Sequence, residues 1–278
     1  MEDKEETKQS VEKTKLSWQV RWRAIYGIWQ REVLIFYRDP VRFFSSLFAP
    51  FLIFLIFGTG LNLILSKNVL GYDFSLFFYP GIMAVAAAFL ALDATMSIVW
   101  DKEFGFLKEI LVAPVKRIDI TLGRLAGATS RSLIQTLTLL LVAPFIGIPL
   151  TFARVVFVIL LVLLISWGMA GLGIILALRA KRLESYSIIL QLFFAPLVAF
   201  SGAFFPLYNA PYWIRFFSHL NPLTYGVDSL RFVLLASSLK TRLLDLLMAH
   251  NLFVSLLVAS LFMIITTIFS VRSFKKIR

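Results

Sequence analysis

The sequence contains no cysteine and only two histidines, His219 and His250, well apart along the chain. Disulfides, thiolate metal centres and cysteine nucleophiles are therefore excluded, and no zinc-type spacing links the histidines to further ligands. No Gly-x-x-x-x-Gly-Lys-[Ser/Thr] loop occurs, and the dipeptide Gly-Lys is absent altogether. The chain is thus not expected to hold ATP through that phosphate cradle. Gly-x-Ser-x-Gly and His-Glu-x-x-His are missing too, which leaves no catalytic set for a hydrolase. Internal repeats and low-complexity runs are not apparent. Charge itself is scarce: 16% of residues are charged and 59% are hydrophobic, with a mean hydropathy of +0.83. A soluble chain is nearer one quarter charged and one half apolar. The apolar residues, 28 Phe among them, come in long uncharged blocks, which is the pattern of membrane spans.

Six segments are long enough to cross a bilayer: 43–65, 77–100, 125–150, 155–178, 186–205 and 252–271. Lipid offers the backbone no hydrogen bonds, and each segment is too long for a barrel strand, so each is expected to be helical. The fold class is therefore all-α and integral to the membrane, with one transmembrane domain over 17–278. Residues 1–16 lack the apolar core of a signal peptide and are expected to form a flexible cytoplasmic tail.

The formal net charge is +12. Nucleic acid is not the expected partner, because no basic stripe interleaved with stacking aromatics lies outside the spans. Lys and Arg of a membrane protein collect on the cytoplasmic side, against anionic lipid. With both termini inside, residues 1–42 carry nine basic residues, 101–124 five, 179–185 three and 272–278 four, so 21 of 28 lie inside. Six lie outside, and Arg131 falls within a span. This split puts both ends on the cytoplasmic face of a plasma or inner membrane.

Between the spans, three stretches have their own pattern. In 18–38, Trp18, Trp22, Ile25, Trp29, Val33 and Phe36 recur at steps of three and four, with arginines on other faces. That spacing predicts an amphipathic helix, seated either in the headgroup zone or against the protein. Asp39-Pro40 ends it, since a residue before proline resists the α conformation. The loop 101–124 predicts a short amphipathic helix that Pro114 terminates. It is too short to be stable alone and must lie against something, whether the membrane surface or a cytoplasmic partner. In the external segment 206–250, Asn221-Pro222 reads as a helix start, because Asn caps free amides and Pro suits the first helical position. Two short helices are expected there. Small residues at Ser166, Ala170, Gly173 and Ala177, and at Gly123 and Gly127, permit close helix approach within the chain or between copies.

Asp93 and Arg131 are ionisable groups inside predicted spans, which makes them candidates for function. Both fall about 10 Å from the cytoplasmic ends of their spans at ~1.5 Å per residue. They are expected either to pair with each other or to reach the interface separately. The middle of each span is uncharged, which argues against an ion-coupled carrier. Energy is more readily supplied from outside the membrane, through a partner on a cytoplasmic loop.

Two stretches resemble the type-2 permeases of ABC exporters, the family of daunorubicin-resistance, nodulation-factor and polysaccharide export permeases. One is Glu103-Phe104-Gly105-Phe106-Leu107-Lys108-Glu109-Ile110-Leu111-Val112-Ala113-Pro114-Val115, followed by Gly123-Arg124. The other is Asn221-Pro222-Leu223-Thr224-Tyr225-Gly226-Val227-Asp228-Ser229-Leu230-Arg231. The resemblance implies a permease dimer, usually of identical chains, above two separate ABC ATP-binding subunits. ATP and magnesium would then belong to those subunits, with no cofactor, metal or catalytic residue on this chain. It also implies that the loop from Asp101 to Pro114 is a coupling helix. Phe104, Leu107 and Leu111 would be its apolar anchors, Glu103, Lys108 and Glu109 its polar contacts, Gly105 part of the motif, and Arg179–Ser185 a second contact. Asn221, Pro222, Thr224, Tyr225, Asp228 and Arg231 would shape an outer gate. The uncharged, Phe-rich spans suggest an amphipathic or lipid-like cargo such as a drug or lipid. A lipid-linked polysaccharide is the rival cargo, and an ion-coupled carrier or a membrane scaffold are the rival functions.

Overall fold

The structure, a computed structural model, describes residues 18–64, 73–112, 115–236 and 247–276. The tail 1–16 and Pro114 lie outside the described residues. All regular elements among the described residues are helices.

Helix α1 spans Trp18–Arg38, as the apolar period predicts. Asp39 then caps α2 (Pro40–Ile53), its side chain accepting from the Arg42 amide at 3.0 Å, and Pro40 takes the first helical position. A π-helical turn, Phe54–Thr59, carries α2 into α3 (Gly60–Ile64). Helix α4 (Phe74–Ala94) is the centre of the molecule. It is apolar all round and nearly all its residues are buried, which is what a helix without a polar stripe requires. It packs against α7 (Arg117–Leu140), α8 (Phe152–Arg179) and α11 (Pro222–Leu235). Between α4 and α7 lie α5 (Met96–Glu103) and α6 (Phe106–Val112). Helix α9 covers Leu183–Ala199, α10 Tyr212–Leu220 and α12 Leu252–Lys275.

Among the described residues, four helical stretches are long and apolar enough to cross a membrane: Pro40–Asn62, Phe74–Glu103, Phe152–Arg179 and Leu252–Lys275. The other two expected spans differ for physical reasons. Helix α7 starts earlier than the apolar block suggests and carries Asp119, Arg124 and Arg131 along one side. Helix α9 is apolar but only 17 residues long. The two short helices expected in 206–250 form as α10 and α11, with Asn221 capping α11 by accepting from the Leu223 amide at 3.0 Å. Helix α11, however, is not a surface element. Its residues from Leu223 to Arg231 are buried against α4, α8 and α12.

The small residues serve packing within the chain. A Cβ on Gly127 would stand 2.5 Å from Cβ of Glu32, and one on Gly173 would stand 2.5 Å from Oγ1 of Thr95. Helix α1 thus lies directly on the backbone of α7, and α8 on the α4–α5 junction. That junction is fixed by Thr95, whose hydroxyl donates to the Leu92 carbonyl at 2.7 Å and lies 2.6 Å from the Tyr186 hydroxyl of α9.

Candidate functional site

Along the α1–α7 contact lies a buried charged network that the sequence only half reveals. Glu32, 1% exposed, projects from the apolar face of α1. Its carboxylate accepts from Arg124 Nη1 at 2.5 Å and from Arg131 Nη2 at 2.7 Å. Arg131 also donates to the Glu32 carbonyl through Nη2 and Nε, at 2.7 and 3.2 Å. Ser97 of α5 donates to the same carboxylate at 3.0 Å and accepts from Arg124 at 2.9 Å. The other guanidinium nitrogen of Arg124 meets Asp101, which also takes both terminal nitrogens of Arg31. Nearer the start of α1, Arg21 grips Asp119 at 2.9 Å, and Trp29 donates its indole N–H to Ser130 at 2.9 Å. Burying so many charges is tolerable only because each is paired and hydrogen-bonded.

This arrangement corrects the expected Asp93–Arg131 pair. Arg131 turns to Glu32 instead. The Asp93 carboxylate makes no ion pair or hydrogen bond among the described residues and feels Arg42 and Arg131 only at longer range. It lines a separate groove with Arg42 and Gln135.

The network ends at the loop between α5 and α6. Asp101 is buried and belongs to the network, so it is not free to touch a partner. Just beyond it, Gly105 takes φ +84°, a conformation that favours glycine. This turn separates α5 from α6 and leaves Phe104 58% and Phe106 55% exposed. Phe104 stacks on Trp100, ring centroids 5.0 Å apart. Of the three expected anchors, Phe104 protrudes, whereas Leu107 is buried in the core and is not available for docking. The side chains of Leu111 and Lys108 lie outside the described residues, and Glu109 is exposed. Glu103 accepts from the Leu183 amide at 3.0 Å. Lys102 donates to the carbonyls of Leu178 and Ala180 at 3.0 and 2.7 Å. The loop is thereby tied to the α8–α9 connection, so the two expected cytoplasmic contacts form one surface. Phe106, which the helical period alone did not single out, is its second exposed aromatic.

On the opposite side, the Asn221–Arg231 motif is a lock. Arg231 donates to the carbonyls of Leu247 and Gly202 at 2.9 and 3.0 Å and stands over the Phe77 ring at 4.2 Å. Asp228 accepts from the His250 amide at 3.0 Å and from its ring at 3.2 Å. Asn221 also donates to the Leu197 carbonyl at 2.6 Å, and Thr224 to the Phe200 carbonyl at 3.2 Å. Tyr225 donates to the His219 carbonyl at 2.7 Å and stacks on the His250 ring. The two histidines, distant in sequence, meet with ring nitrogens 2.6 Å apart. Burial, then the neighbouring His250 and Arg215 charges, lower the affinity of His219 for protons, and Asp228 offsets this in part. A depressed histidine favours the folded state above its unfolded value near 6.5, and this stability is lost as pH falls through its folded value. The purified protein should therefore melt at a lower temperature at pH 5 than at pH 7.5. His219→Gln should flatten that dependence, as read by a melting series across the two pH values.

The described residues hold no cluster of three or more metal-ligating side chains.

Residues 23–235 match the ABC-2 type transporter family. The chain is 30% identical to ycf38 of Cyanophora paradoxa over 204 residues, covering 72% of this chain and 70% of that protein. It is 28% identical over 215 residues to the inner membrane transport permease YadH of Escherichia coli (strain K12), covering 76% and 82% of the two chains. Nodulation protein J of Sinorhizobium fredii is 27% identical over 223 residues, covering 77% and 80%.

Proposed function

The chain belongs to the ABC-2 type transporter family, and from that premise we propose that it is the membrane half of an ATP-driven exporter of amphipathic or lipid-like substrates. It is a membrane permease subunit of an ABC transporter and not the catalytic subunit. Two copies, most simply a homodimer, stand above two ABC ATP-binding subunits that hold ATP and magnesium. Six membrane crossings, with α7 and α9 as the two that their charge and length set apart, keep both termini cytoplasmic.

One observation supports this reading most. The exposed Phe104–Phe106 turn is bound rigidly to everything that must move with it. Closure of the ATP-binding subunits would push on the two aromatic rings. Asp101 hands that push through Arg124 to Glu32 and so to α1, and Lys102 and Glu103 hand it to α8 and α9. A contiguous chain of buried hydrogen-bonded charges transmits displacement because its members cannot be separated cheaply. The outer lock on α11 gives a firm wall against which an exit opens.

Reconstitution with the ATP-binding partner in proteoliposomes tests this. Movement of a fluorescent lipid-like amphipath should need ATP and survive an uncoupler. ATP-independent, uncoupler-sensitive flux would instead mark an ion-coupled carrier. A lipid-linked saccharide is the competing cargo, favoured by the exposed outer aromatics Tyr208, Tyr212 and Trp213, which suit stacking on sugar rings.

A further inference from the structure

Helix α2 carries Pro50 in its interior. A proline has no N–H, so the carbonyl four residues earlier, that of Ser46, loses its helical donor. In lipid such a carbonyl must be satisfied by protein. Gln135 of α7 supplies the donor: its Nε2 bonds to the Ser46 carbonyl. Because that carbonyl only accepts, the amide nitrogen must face it, which fixes the orientation of the amide. The other amide atom, Oε1, is left buried with no hydrogen-bond donor, in a side chain only 3% exposed. Buried acceptors are rarely left so, and each exception asks for an explanation.

Gln135 lines a groove of about 450 Å³ between α2, α4 and α7. The groove also holds two opposite charges, Asp93 and Arg42, which attract each other at longer range without touching. The Asp93 carboxylate has no ion pair or hydrogen bond among the described residues, and neither has the Arg42 guanidinium. Ser45 and Ser46 also line it, their hydroxyls already spent on the Arg42 and Phe43 carbonyls, and the rest of the wall is apolar, with Ile53, Ile82, Phe89 and Phe194 among its residues. Two acceptors and one cation thus share the lining of a largely apolar trough. An apolar pocket with a few convergent polar groups is the physical form of a binding site, and an ionisable group at membrane depth carries function by default.

We propose that this groove binds an amphipath whose polar end carries a primary ammonium beside an anionic group. The ammonium donates to Asp93 and to Gln135 Oε1, the anion faces Arg42, and the apolar tail lies along Ile82, Phe89 and Phe194. A cation alone would meet repulsion from Arg42, and an anion alone would meet Asp93. A quaternary ammonium has no N–H and leaves Oε1 unpaired. The head chemistry is shared by aminophospholipids and by zwitterionic amphipaths of other origin. The inference rests on the reading of the chain as a permease for amphipathic cargo, and it adds the identity of the head.

The test uses the purified permease–ATPase complex in detergent and counts bound lysolipid by native mass spectrometry. Lysophosphatidylethanolamine, lysophosphatidylcholine and lysophosphatidic acid with one common acyl chain are the probes. The ethanolamine head should bind roughly tenfold more tightly than either other head, the scale of a hydrogen bond to a charged group. Asp93→Asn, which keeps the shape of the side chain, should abolish that preference. Arg42→Gln, on a partly exposed side chain, should weaken all three phosphate-bearing probes but not sphingosine, an amine without the anion. A diacyl phosphatidylethanolamine that binds as the lysolipid does would identify a membrane lipid as the source, and its exclusion would identify a single-chain amphipath. In both cases the head chemistry holds. Equal binding of the three heads by the native protein, or an unchanged preference in Asp93→Asn, would overturn the proposal. The ATPase present in the same spectra reports separately on the exporter reading, so either idea can fail without the other.

Discussion

Glu32→Ala is expected to cost about 3–5 kcal/mol of folding stability, because it strands two buried arginines at once. Arg124 and Arg131 both keep side chains only 2% exposed when paired to this carboxylate. The two are not hurt equally. Arg124 retains Asp101 and Ser97, whereas Arg131 loses the one carboxylate it pairs with among the described residues and keeps the Glu32 backbone carbonyl. A double change, Glu32→Leu with Arg131→Met, removes the charge pair as a unit and should recover most of the loss, since apolar replacement of a buried pair is often neutral. Thermal unfolding of the detergent-solubilised protein separates these cases. An unchanged melt for Glu32→Ala would mean that the network is wet or unoccupied. The swap Asp93→Arg with Arg131→Asp should rescue nothing, because Arg131 answers to Glu32.

Phe104→Asp with Phe106→Asp should release the ATP-binding subunits while leaving the permease folded. Both rings are more than half exposed, so the change removes little of the core. Buried aromatic anchors dominate binding energy, and losing two of them should cost at least about 2 kcal/mol each if they seat in partner pockets. Co-purified ATPase activity would fall by more than about tenfold on that scale, while the melting temperature of the permease stays near that of the native chain. Leu107→Asp makes the informative contrast. Leu107 is a core residue, so its substitution should unfold the loop and lower the melt. A Phe104/Phe106 variant that loses stability instead of its partner would place the turn in the fold rather than at an interface.

Much of this architecture can be read from the sequence because its signals are local. Trp18–Arg38 ends where its apolar period ends, and Asp39-Pro40 closes it. Asn221-Pro222 starts a helix through its own cap. Missing from such a reading are the partners, which depend on how helices pack. Arg131 reads as an intramembrane charge but not as a partner of Glu32, which sits in α1 far away in sequence. One clue is available: Glu32 lies between Trp29 and Phe36 at steps of three and four, so an acid interrupts an apolar face. The meeting of His219 and His250 leaves no trace in spacing, because α11 and its lock bring them together. The free acceptor on Gln135 depends on Pro50 in a different helix. Helix α7 confuses span detection for the same reason that it matters: its charges are paid for by α1.

We propose that the chain acts as a dimer on ATP-binding subunits docked beneath it. Native mass spectrometry of the complex, taken from its own membranes in mild detergent, tests this most directly. The account expects two copies of this chain with two nucleotide-binding chains, and the loss of the latter pair with Phe104→Asp and Phe106→Asp. A stable dimer of the folded native chain with no nucleotide-binding subunit would contradict it.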